Sequence, residues 1–141
     1  MKAHRTITEQ RGASAVEFAL VLPLLLLLVF GIVEWGMYMF NKHIITNASR
    51  TGARRGIVQE IPRVPLSEIQ QTVVNYTSTH LVTFGTPNAP VTTVPAICTK
   101  FDDDLAVTVS YDYTFLLLPT LSAGRVSPSK TITARTVMKC E

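Results

Sequence analysis

The chain has 141 residues, 47% of them hydrophobic and 16% charged, with a formal net charge of +3 at pH 7. That length allows one domain on a stalk. The small positive charge comes with no aromatic-interleaved basic stripe and no nucleic-acid motif, which excludes a nucleic-acid binder. G-x-S-x-G, P-loop and H-E-x-x-H patterns are also missing, so the chain reads as a non-enzyme without a cofactor.

The first element is a leader, residues 1–12, carrying Lys2, Arg5 and Arg11 and ending in Gly12. Beyond it stand Ala13, Ser14, Ala15 and Val16, then a lone Glu17 beside Phe18, then a long apolar run. A carboxylate at the membrane edge of an insertable helix costs about 2–3 kcal/mol unless something neutralises it. Cleavage after Gly12 would create such a partner, the ammonium of Ala13, and would leave a mature chain of about +1. The pattern resembles a class III, type IV pilin signal. In that resemblance Gly12–Ala13 is the scissile bond, Glu17 the fifth mature residue and Phe18 the sixth.

The second element is a membrane span. Phe18 to Val33 carries no charge, and Trp35, Tyr38 and Phe40 extend it past the single Glu34. Residues 18–40 as a helix would measure about 35 Å, enough for a bilayer core of about 30 Å. The aromatic cluster at its far end suits an interfacial belt. A cleaved secretory signal fits badly, because its apolar part is shorter and ends in small residues. Ala15 and Ala19 form a small-xxx-small pair that would let another helix approach. Pro23 removes one backbone hydrogen bond and predicts a kink.

Positive charges flank the span on both sides, so their count does not orient it. The short basic leader and the two cysteines, Cys98 and Cys140, both in the C-terminal region, favour a cytoplasmic N-terminus and an exported C-terminal part. An even pair in an oxidising space can form a disulfide. Closing that loop would contribute about 4 kcal/mol in the chain-entropy model.

Past the membrane the helix should continue as a stalk. Trp35 to Gly56 contains no proline, and Ile44, Ile45, Ala48, Thr51 and Arg55 keep helical spacing. Gly56 suits a C-terminal cap, with Arg50, Arg54 and Arg55 favoured by the helix dipole. Pro62 and Pro65 mark a linker. Leu66, Ile69, Val73, Tyr76, His80 and Phe84 then predict an amphipathic helix over about 66–82, and Gly85, Pro87, Asn88 and Pro90 a loop.

Val91–Lys100 reads as an edge or bulged strand because Pro95 interrupts it. Asp102, Asp103 and Asp104 read as a hairpin turn. Leu105, Val107, Val109, Tyr111, Tyr113 and Phe115 alternate with polar or small residues, a half-buried strand. A last strand over about 129–139 places Ile132, Ala134 and Met138 on one face. The expected fold is α+β: a long N-terminal transmembrane helix running into a small domain, with one amphipathic helix on a three- to four-stranded antiparallel sheet. The divisions are a leader at 1–12, transmembrane and stalk helix at 13–57, and the small domain at 58–141.

Other features are weighed against plainer readings. The three aspartates could ligate calcium, but their spacing is not an EF-hand and a solvated turn suffices. His43 and His80 have no Cys or carboxylate at ligand spacing, so no metal site is expected. Asn47 and Asn75 head glycosylation sequons, yet both fall in predicted helices. The run Phe115 to Leu121 outlasts the strand alternation. It either packs under the sheet edge or touches the membrane surface or a partner subunit.

The segment Gly12–Phe40, followed by Thr46-Asn47-Ala48-Ser49-Arg50-Thr51-Gly52-Ala53-Arg54, resembles the TadE-like minor pilins (pseudopilins) of tight-adherence, Flp-type pilus systems. The likeness is strong over residues 11–56 and loose beyond, although Ile132 to Met138 is also similar. It implies a substrate of a prepilin peptidase, with Gly12 and Glu17 in the processing motif. It further implies a single-pass bacterial inner-membrane protein with a periplasmic domain. The implied partners are other pilins or pseudopilins, the inner-membrane pilus platform and membrane lipid. Phe18 stands where the major Flp pilin has Tyr, which suits a minor subunit that initiates or joins pilus assembly. Two alternatives remain: a membrane-anchored periplasmic binding module, and a pseudopilin of a related secretion machine.

Overall fold

The structure is a computed structural model that describes residues 8–84, 88–122 and 124–141. The leader positions Lys2 and Arg5 and the loop positions Gly85 and Pro87 lie outside the described residues. Five elements of some length follow one another: helix α1 (Thr8–Ile57), helix α2 (Leu66–Ser78), and strands β1 (Val91–Thr93), β2 (Asp104–Thr114) and β3 (Ser129–Lys139). A single-turn helix, α3 (Leu118–Leu121), lies between β2 and β3. The expected α+β class is borne out, with a three-stranded antiparallel sheet in the order β1-β2-β3.

The sheet exists because β2 alternates. Leu105, Val107, Val109 and Tyr113 are fully buried and Tyr111 nearly so, all on one face, while Asp112 and Thr114 stay exposed. β3 pairs with the whole of β2, from Asp104 opposite Lys139 to Thr114 opposite Ser129. β1 pairs only at Val91–Thr93, so the strand expected over 91–100 is much shorter. The three aspartates accordingly do not close a tight β1–β2 hairpin. Asp103 instead folds back its own approach, its Oδ2 accepting from the N–H of Lys100 (2.8 Å) and the hydroxyl of Thr99 (2.8 Å). Asp102 sits at φ 67°, a left-handed conformation that Asp tolerates better than most residues. Its N–H reaches the carbonyl of Cys140 (3.0 Å).

α1 is 50 residues long, about 75 Å, and its two halves live in different surroundings. The lower half is the backbone of the core. Tyr38, Asn41, Ile45, Ala48 and Ser49 are buried against the sheet and the loop after α2. Gly56 is not a helix cap, because α1 runs through it to Ile57. It is a point of close approach: a Cβ there would lie 2.5 Å from Leu105 Cδ2 and 2.7 Å from Ile69 Cδ1. Gly52 plays the same part against Val73, at 2.7 Å. The end of α1 is capped from a distance, the N–H of Glu141 bonding the carbonyl of Ile57 (3.2 Å).

α2 packs Ile69, Val73 and Thr77 inward and stops at Ser78, short of the expected 82. The reason is Asn41. Buried in the middle of α1, its amide donates to the carbonyl of Val82 (2.6 Å) and accepts from the N–H of Val82 (3.0 Å). Asn41 thus serves as a one-residue strand partner for Val82, which is incompatible with another turn of α2.

Candidate functional site

The upper half of α1 is the part that leaves the domain. Residues 13–33 are almost all exposed. The helix carries a window of mean hydropathy 2.8, none of it buried, and is long and apolar enough to cross a membrane. Leu20 and Leu24 are each 70% exposed, which a soluble surface does not tolerate over such a length. The stretch clear of the domain ends short of residue 40, because packing against the domain begins near Gly31. Residues 13–33 alone measure about 31 Å as a helix, matching a bilayer core of about 30 Å.

At the top of this helix Gly12, Ala13, Glu17 and Phe18 are all exposed within α1. A Cβ at Gly12 would meet nothing within 4 Å. Ala15 and Ala19 are exposed as well, and Pro23 lies inside the continuous helix. Residues two apart on a helix are about 200° apart, so Glu17 faces away from the Ala15 and Ala19 pair. The two features cannot serve one neighbour.

On the domain half, the side of α1 away from the sheet is Gly36, Phe40, His43, Asn47, Arg50 and Arg54, all exposed. Their spacing of four and three alternately makes a continuous stripe. It is apolar near the exposed half of α1 and cationic towards the end of the helix.

The junction of the two halves is built around Glu34, which sequence reasoning passed over as a lone charge in an apolar run. Glu34 is 5% exposed. Its carboxylate is wrapped by three consecutive backbone N–H groups of the loop after β2. Leu116 donates to Oε1, Leu117 to Oε1 (3.0 Å) and Oε2 (3.3 Å), and Leu118 to Oε2 (2.7 Å). Successive N–H groups converging on an oxyanion form a nest, here closed by the chain's own carboxylate. The signal in the sequence was the charge itself, since a carboxylate in such a run needs partners.

Around this clasp the aromatics collect. Tyr38 is buried, not part of an interfacial belt as expected. Its ring centroid lies 5.6 Å from Tyr113 and 5.8 Å from Phe115, and Lys130 Nζ lies 5.5 Å over its ring. Trp35, 5.3 Å from Tyr38, stays about half exposed. The buried Tyr113 hydroxyl has no hydrogen-bond partner. Burial first, then the nearby Glu34 charge and Tyr111, push its pKa up to about 12.

At the opposite end of the domain Cys98 and Cys140 are joined, with Cα atoms 5.8 Å apart and a sequence separation of 42. The Arg55 guanidinium bridges Glu60 (2.6 Å) and Glu68 (2.7 Å) at the foot of α1. Among the described residues, no group of three His, Cys, Asp or Glu side chains could hold a metal ion. His80 instead stacks on Tyr76 at 4.8 Å.

Comparison with known proteins gives one match. Residues 12–54 fit the model of the family described as TadE-like protein, the family suggested by the resemblance in sequence. The match takes in the exposed upper half of α1, the Glu34 position and most of the packing half. No curated protein and no solved structure matches the chain.

Proposed function

We propose, on the premise of the TadE-like segment at residues 12–54, that this protein is a minor pilin or pseudopilin of a tight-adherence, Flp-type pilus system. It is anchored in the bacterial inner membrane by the upper half of α1, with the N-terminus cytoplasmic and the disulfide-bearing domain periplasmic. A prepilin peptidase cuts between Gly12 and Ala13. The processed subunit then takes part in starting or building the pilus, for attachment to surfaces, together with other pilins and the inner-membrane platform.

The observation that carries this reading is the bare upper half of α1, which presents Gly12 and Glu17 with no protein over them. A plain anchor has no need of a carboxylate within the apolar edge, and removing it would improve insertion. A subunit in a helix bundle uses Glu17 to neutralise the Ala13 ammonium of a neighbour, leaving no unpaired charge in low dielectric. The Ala15 and Ala19 pair, facing the other way, admits a second helix closely. Gly12 also weakens the helix at the scissile bond by about 1 kcal/mol relative to Ala, which eases the local opening that a peptidase requires.

Two substitutions test the reading together. Gly12→Leu should leave the leader attached, whereas the native chain should yield a mature N-terminus at Ala13 by intact-mass analysis. Glu17→Leu should insert and be processed normally, yet abolish piliation counted by microscopy and cross-linking to partner pilins. Normal pili from Glu17→Leu cells, with none from a deletion strain, would remove the charge-pair mechanism. A functional protein that still begins at Met1 would remove the processing claim.

A further inference from the structure

We propose that the end of the domain around Leu116 and Leu118 is a second membrane contact, seated beside α1 on the anionic lipid surface of the leaflet that faces the domain. This rests on the reading of residues 13–33 as the span, and on nothing in the pilus assignment. The first observation is depth. With residues 13–33 filling about 31 Å of bilayer core, the far hydrocarbon boundary falls at Gly31 to Trp35. Leu118 lies at that level, its Cδ2 3.6 Å from where a Gly31 Cβ would be. Leu116 is 54% exposed beside it. A groove of about 670 Å³ lined by Leu27, Gly31, Trp35 and Leu118 opens outward there, its wall reaching up the exposed apolar half of α1 to Leu27.

The second observation is charge. Residues 113–134 contain no Asp or Glu, but they hold Arg125 and Lys130, both exposed. Lys130 Nζ sits over Tyr38, about 10 Å beyond Gly31 along α1, which is the depth of phosphate headgroups outside the hydrocarbon. The carboxylates of the domain gather at its other end, in Glu60, Glu68, Asp102, Asp103 and Asp104. Asp112 is the exception on β2, and its carboxylate accepts the Thr131 hydroxyl at 2.6 Å. The domain is therefore apolar and cationic towards the membrane, whereas at the other end the carboxylates are mixed with cations and paired with them, Arg55 with Glu60 and Glu68 and Lys139 with Asp102 and Asp104. Anionic lipid attracts exposed basic residues held at headgroup depth.

The third observation is polar satisfaction. Irregular backbone is not tolerated at a hydrocarbon boundary unless its N–H groups are paired. The N–H groups of Leu116, Leu117 and Leu118 are all consumed by Glu34. The clasp leaves the Leu116 side chain exposed while the amides of Leu116, Leu117 and Leu118 are all paired. It also fixes the domain to the span at one height and rotation, as a collar.

The test uses the full chain, reconstituted in vesicles of phosphatidylcholine and phosphatidylglycerol. Nitroxide spin labels are placed one at a time at Leu116→Cys, at Thr133→Cys on the open face of the sheet, and at Leu25→Cys within the span. Labels at positions 25 and 116 should collide with oxygen several-fold more often than with a water-soluble nickel chelate, and the label at 133 the reverse. Arg125→Gln with Lys130→Gln should raise the chelate accessibility of the label at 116, and pure phosphatidylcholine should do the same. A label at 116 as open to the chelate as that at 133, with 25 still in lipid, overturns the proposal and leaves the span standing. A label at 25 in water overturns both. Dipolar broadening at 116 that vanishes on dilution with unlabelled chain identifies a second copy as the occupant and overturns the lipid contact.

Discussion

Glu34 in the middle of α1 is bonded through both carboxylate oxygens to the backbone N–H of Leu117, at 3.0 and 3.3 Å, across 83 residues of sequence. This one contact ties the long apolar helix to the loop between the two long strands. Neither side of it is satisfied without the other. A carboxylate buried at this level requires donors, and three consecutive amides near an apolar surface require an acceptor.

Removing the acceptor should therefore cost more than one ordinary hydrogen bond. Glu34→Ala leaves three donors unpaired and opens a void, for a loss of about 2–4 kcal/mol. Glu34→Gln keeps the shape but turns an amide donor towards the nest, and should recover only part of that. Thermal unfolding in detergent, with hydrogen exchange of residues 115–122, measures both. Unchanged exchange in Glu34→Ala would mean that the clasp does not hold the loop.

Two glycines on α1 should respond oppositely to the same change. Gly52→Ala places a Cβ 2.7 Å from Val73 Cγ2, on a short branched side chain that cannot move aside without α2. Overpacking of about 1–3 kcal/mol should exceed the gain in helix propensity of about 1 kcal/mol. At Gly36 a Cβ meets nothing within 4 Å, so Gly36→Ala should stabilise by up to about 1 kcal/mol. Denaturant melts of the pair decide it, and a common sign would contradict the packing described.

The alkaline limit should be set by Tyr113. Its folded pKa stands at about 12, above the ordinary 10.0. Its contribution is fully present below pH 10 and is lost as pH rises from 10 towards 12, because the unfolded chain ionises first. Tyr113→Phe removes the unpartnered hydroxyl, so stability at pH 7 should be equal or higher by about 1 kcal/mol. The fall between pH 10 and 12 should be correspondingly smaller. Unfolding curves across that range, with tyrosinate absorbance as the second readout, test both points.

Cys98 and Cys140 should be found linked by non-reducing peptide mass spectrometry of protein purified without reductant. Replacing both by Ser should cost about 4 kcal/mol, the chain-entropy value for a loop of this length. The loss should concentrate at the foot of the sheet, where Cys140 N–H bonds the carbonyl of Asp103 at 2.9 Å. Free thiols on both residues would argue against an oxidising location for the domain.

What could be read from the sequence was the periodic part. The apolar run from Phe18 predicted a span, the alternation from Leu105 predicted β2, and the last strand was placed at 129–139, where β3 lies. Burial of one face writes itself into a repeat of two or 3.6 residues, which any window of a few turns reveals. The tertiary structure decided where each face meets another element. Gly56 looked like a cap beside Arg54 and Arg55, and became a contact only when Leu105 and Ile69 closed on it. Tyr38 looked like an interfacial anchor until Tyr113 and Phe115 were seen to enclose it. α2 ended early because Asn41, 41 residues before Val82, took the backbone that another turn would have used. Glu34 looked like an interruption of the span because its three donors lie more than eighty residues on. Periodicity records that a side chain is buried, whereas the identity of its partner depends on which loops close, and that is settled only when the whole chain packs.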